Sequence, residues 1–310
     1  MPRNLSTPQV HQTPGNVLSI DMVSLSYPYI ITPSTTPTFY RLFSAAIATA
    51  AHLHHRCLVF RLHGMTLRDL LNRPCMLPLP TNNMLCITWQ IFKAVAFLRS
   101  INIAHTDLKP ENIVLVEDTI LHIREMGSTG RFKDKPILRS CEIKVIDLEE
   151  AQYSPAGRRH AAGSPRYRAP EIYTGTGWSY PIDVFAAGCI TFELYTGQAL
   201  LPRSNDIPDI FLSLEATIGG FSSRFAKEIS RYHPKLFVWQ ASPKIRRDLK
   251  DRPTNDATST HLNHVKTLLT LFRHPHLKEF IKLATNPDPK HRITAENALE
   301  HVIFRERCSD

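Results

Sequence analysis

The sequence predicts an α+β protein, with a large, mainly helical domain preceded by a smaller region that contains short strands. Three observations carry that reading. Met84 to Leu98 repeats apolar residues at spacings of three and four, the period of a packed helix. Two apolar runs of strand length, Ile113 to Val116 and Ile143 to Ile146, flank a polar insert from Glu117 to Cys141. From Ile182 to Phe304 the chain is again mainly helical, interrupted by a proline-containing, basic segment from Arg231 to Pro253.

Taken in order, residues 1 to 40 hold six prolines and eleven serines or threonines with little helical periodicity, which predicts a flexible arm. Within it, Val17 to Ile31 is apolar enough for short strands. From Phe39 to Phe60 an alanine-rich stretch of helical potential runs into Cys57-Leu-Val-Phe60, which suits a short buried strand. Leu67 to Leu71 begins a short helix, and Asp209 to Ala216 reads as an amphipathic helix with Ile210, Phe211 and Leu214 turned inward. No internal repeat is visible.

With 310 residues, 43% of them hydrophobic, the chain can bury the core of one large or two modest domains. A formal charge of +9 and a pI near 9.3 point toward acidic partners such as nucleic acid, an anionic membrane surface or a phosphorylated protein. The run Lys244-Ile-Arg246-Arg247-Asp-Leu-Lys250-Asp-Arg252 could be such a patch. Its interspersed aspartates favour a solvated insert, and the lack of aromatic interleaving argues against nucleic acid.

The apolar stretch Leu42 to Leu53 is too short to span a bilayer, so no membrane partner is expected. Six cysteines without a C-x-x-C pair predict reduced thiols in an intracellular compartment, nucleus or cytoplasm. His52, His54 and His55 lack the i, i+4 pair and third ligand of a zinc site. His274 and His276 stand alone, as surface or cap histidines do.

The chemistry is concentrated in five strings. His105-Thr-Asp107-Leu-Lys109-Pro-Glu-Asn112 precedes the run Ile113-Val-Leu-Val116, and Asp147-Leu148-Glu149 ends the second strand-like run. Gly163-Ser-Pro-Arg166-Tyr167-Arg168-Ala169-Pro170-Glu171 follows. Then come Gly177-Trp178-Ser179 with Asp183-Val-Phe-Ala-Ala-Gly188-Cys189, and Asp288-Pro-Lys-His-Arg292-Ile-Thr294. On these motifs, in this order from Cys57 to Phe304, the chain resembles a eukaryotic protein kinase of the LAMMER (CLK-type) and SR-protein kinase group. Thr106 is informative, because most kinases carry arginine there and these families carry threonine.

The resemblance implies a protein-kinase fold and transfer of the γ-phosphate of Mg-ATP to Ser/Thr hydroxyls of proteins, arginine-serine-rich proteins among them. It makes Asp107 the base, sets Lys109 against the transferring phosphate, and gives Asn112 and Asp147 to magnesium. Phe60, Arg61 and Leu62 become the hinge that receives adenine. It further implies a buried Glu171–Arg292 pair and an Asp183 carboxylate that holds the catalytic loop's amides. The domains expected are an arm (1–40), a remnant small lobe and hinge (41–62), the large lobe (63–304) and a tail (305–310).

Three features depart from the pattern. No lysine or glutamate precedes Lys93, and the glycines before it are Gly15 and Gly64, so neither the G-x-G-x-x-G loop nor the Lys–Glu clamp on ATP can be built there. Arg41 or Arg56 would be a poor geometric substitute for that lysine. Asp-Phe-Gly reads Asp147-Leu148-Glu149; Leu148 is expected to fill the apolar slot of the phenylalanine, while Glu149 replaces a glycine that lets the backbone turn. Glu149 and Glu150 either face water or recruit a cation. The LAMMER string falls on Asp209 to Ala216 without its terminal arginine.

Impaired catalysis is therefore expected: a pseudokinase offering its large lobe to protein substrates or regulators. The alternative is an active serine/threonine kinase whose small lobe lies outside this chain or is made of atypical residues.

Overall fold

The computed structural model describes residues 46–49, 56–59, 62–126, 132–239, 242–246 and 274–308. It falls into two units. One holds strands β1 (Ala46–Thr49) and β2 (Arg56–Val59), and the other holds every described residue from Leu62 on. β1 and β2 pair antiparallel, Ala46 opposite Val59 and Thr49 opposite Arg56. The helix expected in the alanine-rich stretch is thus corrected to a strand at Ala46–Thr49. Alanine's helix preference is worth less than about 1 kcal/mol per residue, and β-branched Ile47, Thr49 and Val59 favour the ladder. The strand expected at Cys57 is present. The arm of residues 1 to 40 lies outside the described residues.

In the larger unit the helices form around one core. α1 (Leu67–Leu71) starts with a capping box: Thr66 Oγ1 accepts from Asp69 N and the Asp69 carboxylate from Thr66 N, each at 3.0 Å. α2 (Thr81–Ser100) buries Met84, Ile87, Ile91, Phe92, Val95 and Leu98, the periodic face read from the sequence. After β3 (Ile103–Ala104), strand β4 (Ile113–Leu115) precedes β5 (Ile120–Met126) and β6 (Phe132–Leu138). β7 (Ile143–Val145) and β8 (Gln152–Tyr153) follow, and β4 pairs with β7 while β3 pairs with β8.

Within the polar insert β5 and β6 pair antiparallel, Ile120 opposite Leu138 and Met126 opposite Phe132. α3 (Pro170–Thr174), α4 (Pro181–Thr196), α5 (Ile207–Ile218) and α6 (Ser223–Ser230) come next. The basic segment then carries a hairpin, β9 (Phe237–Trp239) with β10 (Pro243–Ile245). It is anchored because Phe237 packs with Phe211 and Phe221, and Ile245 is buried. Lys244 is exposed within β10, and the basic run beyond Arg246 lies outside the described residues.

α7 (Pro275–Ala284) and α8 (Ala295–Leu299) complete the unit. His274 caps α7, its Nδ1 accepting from Leu277 N at 3.4 Å. Phe280 of α7 meets Phe92 of α2 edge-on, with centroids 5.0 Å apart. α4 is the central helix, buried from Ile182 through Leu194, and α5 turns Ile210, Phe211 and Leu214 inward as its pattern predicts. No helix among the described residues is long and apolar enough to cross a membrane.

At Gly188 α4 packs close against the end of α7. A Cβ there would lie 2.8 Å from both Ala284 Cβ and Thr285 Cγ2. Gly188→Val is expected to cost about 1–3 kcal/mol by overpacking, read as a lower urea midpoint at unchanged slope.

Candidate active site

The loop between β3 and β4 is shaped by α4. Asp183, in that helix's first turn and buried, accepts from His105 N through Oδ2 at 2.7 Å and from Thr106 N through Oδ1 at 2.9 Å. Burial pushes its carboxyl upward, opposed by His105 and by the two amides. The sequence reading of Asp183 as the loop's anchor holds. The anchor is needed because Thr106 sits at φ 71°, a left-handed conformation that a β-branched residue disfavours. Its hydroxyl adds a bond to Glu150 O at 2.8 Å. Gly163 (φ 73°) lies against the same turn, where a Cβ would come 2.8 Å from Thr106 O.

Asp107 lies at the centre of the loop. Its Oδ2 carries a salt bridge from Lys109 Nζ and a longer bond, 3.4 Å, from Asn112 Nδ2, which also donates to Asp107 O at 2.9 Å. Its Oδ1 accepts from Ser164 Oγ at 2.8 Å. Ser164 belongs to a string singled out in the sequence, but no role was read for it there.

Asn112 and Asp147 are brought together by the β4–β7 ladder. Ile113 pairs with Val145, and Ile146 N donates to Asn112 O at 2.9 Å. Asp147 is exposed and forms no ion pair among the described residues, and Asn112 Oδ1 accepts no hydrogen bond from them. A carboxylate and a carbonyl are hard oxygen donors, the set magnesium takes alongside phosphate oxygens and water, so these residues fit that ion.

Two expectations around Asp147 are corrected. Leu148 fills no apolar slot; it is 41% exposed. The left-handed turn that glycine would serve sits at Asp147 itself (φ 66°), so Glu149 bears no such conformation. Glu149 and Glu150 are exposed. Of the hinge residues, Phe60 and Arg61 lie outside the described residues, and Leu62 is 81% exposed.

A charged network missed in the sequence supports the loop from behind. Arg68 of α1 donates Nε to Glu111 Oε1 and Nη1 to Glu193 Oε1, both at 2.8 Å. The Tyr167 hydroxyl bridges Arg68 and Glu193. Burial opposes the Arg68 charge, but Glu193 and Glu111 outweigh it and hold the guanidinium above its usual range. Burial and the Glu193 charge push Tyr167 up as well. The expected buried pair is also present: Arg292 grips Glu171 with two bonds of 2.7 and 2.9 Å.

A helical unit whose catalytic-type loop is tied to α4, with an aspartate, lysine and asparagine gathered beside a strand-end aspartate, defines a class. The chain belongs to the protein kinase family, whose domain model matches residues 42–304. It is 35% identical to the dual specificity protein kinase lkh1 of Schizosaccharomyces pombe, over 82% of this chain and 36% of that protein. It is 33% identical to the serine/threonine-protein kinase AFC2 of Arabidopsis thaliana, over 82% of this chain and 60% of that one. With the human dual specificity protein kinase CLK1 the figures are 29%, 82% and 51%.

These relatives bear out the CLK-type resemblance read from Thr106 and the ordered motifs. The chain spans about a third to three fifths of their lengths. A crystal structure of a kinase domain superposes with a TM-score of 0.66 at 24% identity, covering 84% of this chain and 76% of that one, and shows the fold.

Proposed function

We propose that this chain is a protein-kinase relative that receives Ser/Thr-bearing protein segments at Asp107, and that its phosphoryl transfer is severely impaired. The observation that carries the first half is the Asp107 carboxylate, already oriented by Lys109, Asn112 and Ser164 to accept one more hydroxyl. The second half rests on the sequence, which has no lysine or glutamate before Lys93 to clamp nucleotide phosphates. Lys109 would offset charge on a transferring phosphate, and Asn112 and Asp147 would hold magnesium. When bound with ATP, that ion neutralises phosphate charge.

The proposal includes the division into an arm to residue 40, a small remnant lobe and hinge to 62, a large lobe from 63 to 304 and a tail from 305 to 310. It also includes a nuclear or cytoplasmic setting. Partners are protein substrates or regulators, with arginine-serine-rich proteins the class implied by the family resemblance.

A second reading, an active serine/threonine kinase whose small lobe lies outside this chain or is made of atypical residues, is favoured by one observation. Asp107, Lys109, Asn112 and Asp147 are all retained. Calorimetric titration of the folded chain with Mg-ATP separates the first reading from a kinase whose small lobe is built of this chain's own atypical residues. The first reading expects no detectable heat of binding. Binding that Asp147→Asn abolishes would sink it in favour of the second.

A further inference from the structure

Between Ala151 and Pro170 the chain carries four arginines, Arg158, Arg159, Arg166 and Arg168, and neither aspartate nor glutamate. Arg68, Arg99 and Arg292 each hold a carboxylate, whereas none of these four does so among the described residues. Arg168 bonds the carbonyls of Ala162 and Gly163. Arg166 is half-buried, and its Nε is buried with no hydrogen-bond partner. Arg158 and Arg159 are exposed, and the preceding acids Glu149 and Glu150 form no ion pair with them.

The backbone beneath Arg158 and Arg159 is pinned, which separates them from a merely solvated charge run. Trp178 donates its amide to Arg158 O and its indole Nε1 to His160 O, each at 2.8 Å. The His160 ring stands edge-on to that indole at 5.0 Å. Ser164, whose hydroxyl rests on Asp107, lies five positions after Arg159, so the two are at most about 18 Å apart along the chain. Arg166 follows Ser164 by two residues. A peptide presenting a hydroxyl to Asp107 therefore reaches unpaired guanidinium groups within a few of its own residues, and guanidinium matches carboxylate and phosphate geometry.

We propose that Arg158, Arg159 and Arg166 form a recognition site for anionic side chains, carboxylate or phosphate, in a peptide docked with its hydroxyl at Asp107. The docking half rests on the reading of Asp107 given above. The site selects acidic or already phosphorylated segments over unphosphorylated arginine-rich ones, so of the arginine-serine-rich class named above it takes the phosphorylated form.

The test is fluorescence anisotropy without nucleotide, using short labelled peptides with one central serine flanked by glutamates, by phosphoserines or by arginines. The glutamate and phosphoserine peptides should bind and the arginine peptide should not. Arg158→Ala/Arg159→Ala, both exposed positions, should weaken binding by about fivefold to tenfold, with a similar loss on raising salt from about 50 to 200 mM. Tighter binding of the phosphoserine peptide would identify phosphate as the preferred anion, and parity would show that carboxylate suffices. Equal affinity for glutamate and arginine peptides, or an unchanged affinity in the double variant, overturns the proposal. If serine-to-alanine peptides bind equally well while the glutamate preference persists, the anion site stands and Asp107 is not the docking point.

Discussion

Glu171→Ala is expected to remove about 3–5 kcal/mol of stability, measured by urea unfolding, because it strands a buried guanidinium. Arg292 and Glu171 are essentially fully buried, so water cannot replace the lost carboxylate. The remaining contacts of Arg292 are the carbonyls of Asn286 and Pro181, each at 2.8 Å, that of Pro287 at 3.4 Å, and the ring of Phe185 at 5.0 Å. These are dipoles and a quadrupole, which do not neutralise a charge. Substituting both partners with apolar residues, Glu171→Leu with Arg292→Met, should recover most of the loss. If the double variant is as unstable as the single one, charge compensation is not what the pair contributes.

The second large effect belongs to Asp183. Hydrogen bonds to a charged group contribute about 1.5–3 kcal/mol each, and Asp183→Ala removes two of them from buried amides. A total loss on the order of 3–6 kcal/mol follows. It should be accompanied by faster amide exchange at His105 and Thr106, beyond what the global destabilisation predicts. Local acceleration is the discriminating readout, since Thr106 would no longer be held at its left-handed φ. Unchanged local exchange would mean that the turn is kept by Thr106's own hydroxyl bond to Glu150 O.

The large helical unit was legible because its signals are periodic or carried by residue type. α2 repeats its apolar face from Met84 to Leu98, about four turns, and Glu171, Arg292 and Asp183 stand in strings whose roles follow from the family resemblance. The β5–β6 hairpin was not legible in the same way. Leu121, Ile123, Met126 and Phe132 are all exposed, so neither face carries the alternation that burial imposes on a strand. Its available sign was the pair Gly127 and Gly130 between two runs of equal length.

Leu148 shows the converse limit: an apolar residue type does not guarantee a slot to fill. The Ser164–Asp107 and Arg68–Glu193 contacts join residues 57 and 125 positions apart, and no local pattern reports such closures. At Ala46–Thr49, four residues were too few for composition to outweigh a partner strand.

The contacts of the Asp107 carboxylate have a consequence in lone-pair arithmetic. An ionised carboxylate offers about four acceptor positions. Lys109 and Asn112 lie on Oδ2 and Ser164 on Oδ1, which leaves one, beside the Ser164 hydroxyl. An incoming alcohol must therefore approach from a single direction and displace water from that one position. The selectivity of this carboxylate is thus stereochemical: it addresses one hydroxyl, one at a time, whatever then happens to it.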